Sequence, residues 1–422
     1  MSIADLDRLR LPGNNACRNA WCAVSGAWRE KTGVFVKKQI LTILLKYGLG
    51  LGIMIFMISR GWHNVNDEGK DVGIAALFRG EHDFHWLPLT LALVICGTGV
   101  LITFFRWFIL VRAQGLPFTP MNALRLGLAG FFWSTFLPGS VTGDIPKAYF
   151  LAREHSRRTV AVATVIIDRI IGLCALFWVV AFLGSIFWIS GSLEELVQKP
   201  ARERILQAKL EDRAKLEKEA IDATRLLEII VIASVGLVVA NVVFWLGLGF
   251  ISVALAARLA KWLESIPRVG HSLAELWRAV LMYRSRGKSV LIALVMAMAA
   301  HIGFVLTFYL CALTLYAAQN VPSVGTHYLI VPIGMTFQGV FPTPGGLGGG
   351  EAAFSYLYVQ VGAVANYGLM ACLMKRVIDW TLAALAYVAW LLMKPPALEL
   401  AAKEEKDDVA TDTPVPELAT GD

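Results

Sequence analysis

A few ionisable side chains stand in otherwise apolar stretches of this chain, and they fall into two groups: Asp144, Lys147, Asp168 and Arg169 in the first half, and Glu351, Lys375, Arg376 and Asp379 in the second. A charge near the centre of a membrane span costs at least about 2.5 kcal/mol on insertion scales, so each asks for a partner or a task. Lys375 and Asp379 are spaced i,i+4 and Arg376 and Asp379 i,i+3, so either pair can share a helix face and offset its burial. Asp168 and Arg169 are adjacent and must face differently, so each needs a partner on another element. Such a cluster suits a phosphate-bearing substrate, because an arginine fork matches phosphate oxygens. The acids can then orient the cations, hold an amino group of a zwitterionic substrate, or take up protons. The plainer alternative is that these groups are structural ion pairs that hold a helix bundle together.

Two of the acids follow short Pro/Gly breaks in matching places of the two halves. Asp144 follows Pro138-Gly139-Ser140-Val141-Thr142-Gly143, and Glu351 follows Pro344-Gly345-Gly346-Leu347-Gly348-Gly349-Gly350. A helix broken inside lipid frees backbone N–H and C=O groups, which is tolerated only where they line an enclosed cavity or bind something. Helix N-termini at such breaks also offer free N–H groups to an anion. The pattern implies a membrane transporter whose working site lies at the breaks.

The elements that position these residues follow from hydropathy. Of 422 residues 56% are hydrophobic and only 17% charged, which marks an integral membrane protein. Apolar stretches at about 39–58, 86–111, 160–190, 226–257, 289–317 and 367–393 reach the roughly 20 residues that cross a bilayer, giving six full spans. The first 38 residues carry seven Lys/Arg and no apolar core, so no cleavable signal is expected and the first span acts as an anchor. With the N-terminus inside, 23 Lys/Arg fall in inner segments against 11 in outer ones, in keeping with the positive-inside rule. The outer segment 191–225 fits least well, with eight Lys/Arg and eight Asp/Glu, and reads as a solvated helix running into the next span.

Two segments are long enough to enter the membrane but too interrupted to cross it, and each reads as a re-entrant hairpin. The first rises over Leu126 to Leu137, and the second rises over Tyr328 to Phe341 and returns over Ala352 to Val364. Span, hairpin and span then recur over 86–190 and 289–393 in opposite orientation, the inverted repeat that places a transporter's site near the midplane. The alternative is two ordinary pairs of short surface helices. The expected fold is an all-α polytopic bundle of about six spans and two broken re-entrant hairpins. It is flanked by a basic cytoplasmic arm (1–38) and an acidic, disordered cytoplasmic tail (394–422).

Several motifs carry no chemistry. Gly345 to Gly350 follows no strand and ends on an acid, so it is not a dinucleotide loop, and Gly287-Lys288-Ser289 lacks the Gly that a Walker A loop has in the place of Met282. His82-Asp83-Phe84-His85 supplies too few ligands for a metal. Cys96, Cys174, Cys311 and Cys372 lie in spans and Cys17 and Cys22 in the reducing inner arm, so no disulfide is expected. Residues 271–285 read as a basic interfacial helix, and Lys46 and Arg106 as cations that snorkel to the cytoplasmic surface. No cofactor is expected. The net charge of +7 sits mainly in loops beside spans, where it orients the chain and meets anionic lipid rather than nucleic acid.

The stretches Phe131-Phe132 through Phe136-Leu137-Pro138-Gly139, Gly143-Asp144, Leu151-Ala152-Arg153, Asp168-Arg169 with Gly172, and Pro342-Thr343-Pro344-Gly345-Gly346-Leu347-Gly348 to Glu351 together resemble the lysylphosphatidylglycerol synthase transmembrane region, or flippase-like, family. Arg106-Trp107 resembles that family's second-span ending, and the likeness covers roughly 40–393. The resemblance implies a lipid translocase domain, which in bifunctional members moves aminoacylated phosphatidylglycerol between leaflets. In other members it has been linked to cardiolipin, hopanoid or lipid-linked sugar pathways. Thr142 and Lys147 stand where the family pattern often has Gly and Arg, and the insert 191–225 is atypical. The 29 residues after the last span are too few for a soluble aminoacyltransferase domain, so the chain is not expected to be a synthase alone.

The candidate substrate-binding residues are Arg106, Gly139, Gly143, Asp144, Lys147, Asp168, Arg169, Gly345, Gly346, Glu351, Arg376 and Asp379. The leading expectation is a plasma-membrane protein, with both termini cytoplasmic, that moves an anionic or aminoacylated phospholipid or a lipid-linked intermediate between leaflets. The alternatives are a membrane-embedded lipid-modifying transferase, with Asp144 or Glu351 as base, and a small-anion or proton-coupled transporter. Partners open to such a chain are membrane phospholipid, a separate lipid-synthesis enzyme and a second copy of itself, with nucleic acid excluded.

Overall fold

The computed structural model describes residues 44–63, 73–79, 84–137, 144–154, 158–196, 205–206, 210–267 and 270–393. The basic arm, the acidic tail and the break 138–143, with Gly139 and Gly143, lie outside the described residues. Of the first of two compact units, Met1–Leu49, residues 44–49 are described and helical. The second, Gly50–Asp422, opens on helical residues 50–60 and is an all-α polytopic bundle.

Eleven helices carry the architecture: α1 (Trp86–Ala113), α2 (Pro120–Phe136), α3 (Asp144–Glu154), α4 (Arg158–Ile189), α5 (Leu210–Phe250), α6 (Val253–Glu264), α7 (Gly270–Arg284), α8 (Gly287–Leu315), α9 (Val324–Val340), α10 (Gly349–Gln360) and α11 (Ala365–Leu392). Among the described residues four segments, Trp86–Ala113, Val160–Ile189, Arg213–Phe250 and Gly287–Leu315, are long and apolar enough to cross a membrane. Helix α11 has 28 residues and matches the last expected span, but Lys375, Arg376 and Asp379 lower its apolarity. The charged segment 210–225 and the span after it form one helix of 41 residues, about 60 Å long, so roughly half of it extends beyond a ~30 Å hydrocarbon core. That span stops at Phe250 rather than running to 257. Ser252 accepts a hydrogen bond from Leu255 N at 3.2 Å and caps the separate helix α6, on which Arg258 and Lys261 are exposed.

Both rising arms start earlier than hydropathy alone indicates, because their caps are polar. Thr119 accepts from Asn122 N at 3.1 Å ahead of Pro120, and Ser323 accepts from Thr326 N at 3.2 Å. Each arm thereby has 17 residues, about 25 Å, close to the thickness of the hydrocarbon core. The second hairpin is closed along its length. His327 packs on Tyr358 at its base, a Cβ on Gly334 would meet Phe354 midway, and one on Gly349 would meet Phe341 at the tip. At the base the Tyr358 hydroxyl donates to His327 Nε2 at 2.6 Å, while His327 Nδ1–H donates to the Ser323 carbonyl at 2.9 Å. Helix α10 therefore returns to the level at which α9 began.

The packing maps onto itself when α1, α2, α3 and α4 are exchanged for α8, α9, α10 and α11. The pairs α1–α2, α2–α3, α3–α4 and α1–α4 match α8–α9, α9–α10, α10–α11 and α8–α11, and α2–α11 and α1–α11 match α9–α4 and α8–α4. The exchange axis crosses the α1–α8 contact. There the helices run antiparallel, with His85 N donating to Thr314 O at 3.0 Å, Ile95 beside Gly303 and Gly99 beside Phe304. Two like units related by such a flip are an inverted repeat.

Candidate functional site

Each half pairs the acid after its break with an arginine 25 residues further on. In the second half Glu351 accepts from Arg376 Nε at 2.7 Å and Nη2 at 3.0 Å, and also from Gly348 N at 2.8 Å. Glu351 is the third residue of α10, so it satisfies a free N–H of its own helix while it holds the arginine. The break folds around the pair. Arg376 Nη1 and Gln338 Nε2 both donate to the Gly345 carbonyl, at 3.2 and 3.0 Å. Gly345 and Gly346 have φ of 53° and 67°, and a Cβ on Gly346 would lie 2.3 Å from the Gln338 carbonyl oxygen, so only glycine fits there. Both side chains of this pair are sealed, Glu351 at 0% and Arg376 at 6% exposure.

In the first half Asp144 accepts from Arg169 Nε and, at 3.4 Å, from Lys147 Nζ, whose ammonium also lies 5.6 Å from the Trp107 ring centroid. Here Asp144 is buried, but the Arg169 side chain is 47% exposed. It shares its flank of α4 with the exposed apolar residues Val162, Ile166, Ile170 and Leu173, while α3 exposes Ile145 and Tyr149. Among the described residues the exposed edge of this pair therefore lies between apolar surfaces.

Asp168 and Arg169 face apart, and Asp168 finds its partner on α1. Arg106 Nε and Nη2 reach its two oxygens at 2.7 and 2.9 Å, and Nη2 also donates to the Asp168 carbonyl at 3.2 Å. Arg106 is thus no snorkelling anchor: it is buried and clamps α1 to α4, because a carboxylate one helix away neutralises it where water cannot. In the second half Lys375 stands at the place of Asp168 and takes its acid from its own helix, Asp379 Oδ1 at 2.6 Å, while the Cys96 thiol of α1 lies 3.7 Å from the same oxygen.

A cavity of about 220 Å³ lies between the hairpins. The first lines it with Phe131, Ser134 and Thr135, the second with Met335, Gln338 and Gly345, and Lys375, Arg376 and Asp379 line it from α11. Val100 and Phe304, beside the exchange axis, and Trp380 of α11 complete the wall. A Cβ on Gly345 would lie 3.3 Å from the Thr135 carbonyl oxygen, so the tip of the second hairpin abuts the end of α2. The chamber offers two cations, one carboxylate, an amide and two hydroxyls, a set able to hold a small anionic or zwitterionic group.

Three polar residues beyond the expected set belong to this region. His301 Nε2 donates to the Gly172 carbonyl at 3.0 Å, close to Arg106, and its Nδ1 has no partner among the described residues. Trp107 Nε1 and Arg125 Nε are likewise buried without one. A lone histidine or tryptophan in an apolar run gives no sequence signal. Arg125 gives one, as an arginine among apolar residues just over a turn into a helix capped by Thr119-Pro120.

Comparison with curated proteins and with solved structures returns no match. The model of the family described as lysylphosphatidylglycerol synthase TM region matches residues 43–386, which include both hairpins and both acid–arginine pairs, and the chain belongs to this family.

Proposed function

We propose that this protein moves a phosphate-bearing lipid headgroup between leaflets through the chamber between its hairpins, while the acyl chains stay in the bilayer. The observation that carries the reading is the flank of the Asp144–Arg169 pair. A half-exposed arginine between Ile166 and Ile170 gives a headgroup a charged step at a lateral opening, which a carrier of soluble anions does not need. From there the chamber of Ser134, Thr135, Gln338, Lys375 and Arg376 replaces the hydration that the headgroup would lose in hydrocarbon. The sealed Glu351–Arg376 pair closes the equivalent opening in the other half, so the two pairs act as alternating gates of one path.

The test is dithionite quenching of fluorescent phosphatidylglycerol, cardiolipin and phosphatidylcholine in liposomes holding the purified protein, beside an Asp144→Asn variant. Headgroup-selective loss of leaflet protection, absent in the variant, is expected. Protection retained for every lipid would overturn the reading. Chemical change of the lipid recovered from the same liposomes would replace it with the transferase alternative.

A further inference from the structure

Three arginines are buried among the described residues: Arg106, Arg125 and Arg376. Two of them grip a carboxylate with two N–H donors each, Arg106 on Asp168 and Arg376 on Glu351. Arg125 is as buried as they are, at 6% exposure, yet it has no hydrogen-bond or ion-pair partner among the described residues, and its Nε is fully enclosed. A guanidinium stays charged under all ordinary conditions and carries five donors in a planar fork. Left unpaired inside a protein it is strongly unfavourable, and buried polar groups are as a rule satisfied. Its partner therefore comes from outside the described residues, and its two terminal nitrogens, unlike the enclosed Nε, are the atoms open to it.

The surroundings say what kind. Arg125 lies on α2 seven residues before Phe132, hence on nearly the same face two turns earlier. Phe132 stacks on Tyr387 of α11 with ring centroids 4.4 Å apart, and Tyr387 stacks on Trp390 at 5.9 Å. Apolar aromatic surface between α2 and α11 thus lies about 10 Å along α2 from Arg125. Ser134, the first hydrophilic residue that α2 gives to the chamber lining, is nine residues further along the helix, about 14 Å, and Arg125 is not among the lining residues, so this place is distinct from the chamber.

We propose that Arg125 binds the phosphate group of an anionic ligand, its fork taking two non-bridging oxygens, as a loading position ahead of the chamber. The inference rests on the translocation reading only for the source of that group, a lipid headgroup rather than free phosphate. Trp390, Tyr387 and Phe132 then receive the apolar part beside the phosphate.

The test uses the full-length purified protein in detergent and measures retained ligand by native mass spectrometry together with thermal unfolding. The probes are phosphatidylglycerol, diacylglycerol with the same acyl chains, glycerol 3-phosphate and inorganic phosphate. The wild type is expected to retain phosphatidylglycerol at least tenfold better than diacylglycerol. Arg125→Gln is expected to fall to the diacylglycerol level while melting no lower than the ligand-free wild type, since it removes a charge that has no partner among the described residues. Arg125→Lys, which keeps the charge but loses the fork, should retain an intermediate amount. Retention of inorganic phosphate or glycerol 3-phosphate at the phosphatidylglycerol level, lost in Arg125→Gln, supports the site and names the free anion as its ligand. Equal phosphatidylglycerol retention in wild type and Arg125→Gln overturns the proposal. So does a clearly lower melting point of the ligand-free variant, which would reveal a structural partner. Retention is an equilibrium readout, separate from flipping: a wild type that holds phosphatidylglycerol through Arg125 yet moves no lipid sustains this site and removes the translocation reading.

Discussion

The two halves of the molecule hold the same ion pair in different states of enclosure. Asp144–Arg169 and Glu351–Arg376 share their 25-residue spacing, their place after a Pro/Gly break and their position eleven residues into the following long helix. Glu351 nevertheless accepts three hydrogen bonds in a sealed site, whereas Arg169 leaves its pair half-open. The sequence spacing that places an acid against a cation thus does not decide whether the pair acts as a latch or as a doorway. The surroundings decide it. In the second half Gly345 lets the break fold back so that its carbonyl receives both Arg376 and Gln338, and this closes the cavity wall.

The largest expected effect breaks the latch. Glu351→Gln leaves Arg376 as an uncompensated charge in a sealed site and should cost about 3–5 kcal/mol, read as the loss of stability of the purified protein against denaturant. Replacing both partners, Glu351→Leu with Arg376→Met, should recover most of that stability, because an apolar pair of similar volume avoids the desolvation of two ions. Lipid flipping should stay lost in the double variant. If Glu351→Gln costs no more than Asp144→Asn does, enclosure is not what separates the halves.

The fold was legible in the sequence where it depends on length and apolarity, and the all-α bundle with its two interrupted segments follows from hydropathy and Pro/Gly placement. Helix ends were less legible, since the arms begin at the polar caps Thr119 and Ser323 and not at the apolar residues that follow. The charged residues separated along the same line. That each half gathers acids and cations in one apolar region was readable from the two charged groups, because like units place like residues together. Arg106 was not, because closeness to a predicted span end reads as access to water, and only tertiary packing brings Asp168 of α4 against it. Arg125 gives only a weak sign, an arginine among Ala123, Leu124 and Leu126 shortly after the Thr119-Pro120 cap, and its burial then sets it apart from the loop cations around it.

At the doorway the ranking of effects should reverse. Arg169→Ala exposes no new cavity and leaves Asp144 with Lys147, so stability should change by only about 1 kcal/mol or less, as for a partly solvated pair. Flipping in the quenching assay should fall at least tenfold, because the charged step at the lateral opening is gone. A variant that is fully active yet clearly less stable would show instead that Arg169 is structural, and would make the two pairs alike.

The smallest effect sharpens the same contrast. Lys147 lies 3.4 Å from Asp144 and over Trp107, so it contributes part of the field at Asp144 without the direct contact that Arg169 makes. Lys147→Gln keeps a donor within reach of the carboxylate and removes the charge. Stability should change by about 0.5 kcal/mol or less, and flipping should fall about two- to fivefold, since roughly 1 kcal/mol of headgroup attraction corresponds to a factor of about five. Combined with Arg169→Ala, the loss should exceed the product of the two single effects, because Asp144 would then keep neither cation and would repel an incoming phosphate. A double variant that only multiplies the single effects would place Lys147 outside the doorway, and would leave the Asp144–Arg169 pair as isolated in its half as Glu351–Arg376 is in the other.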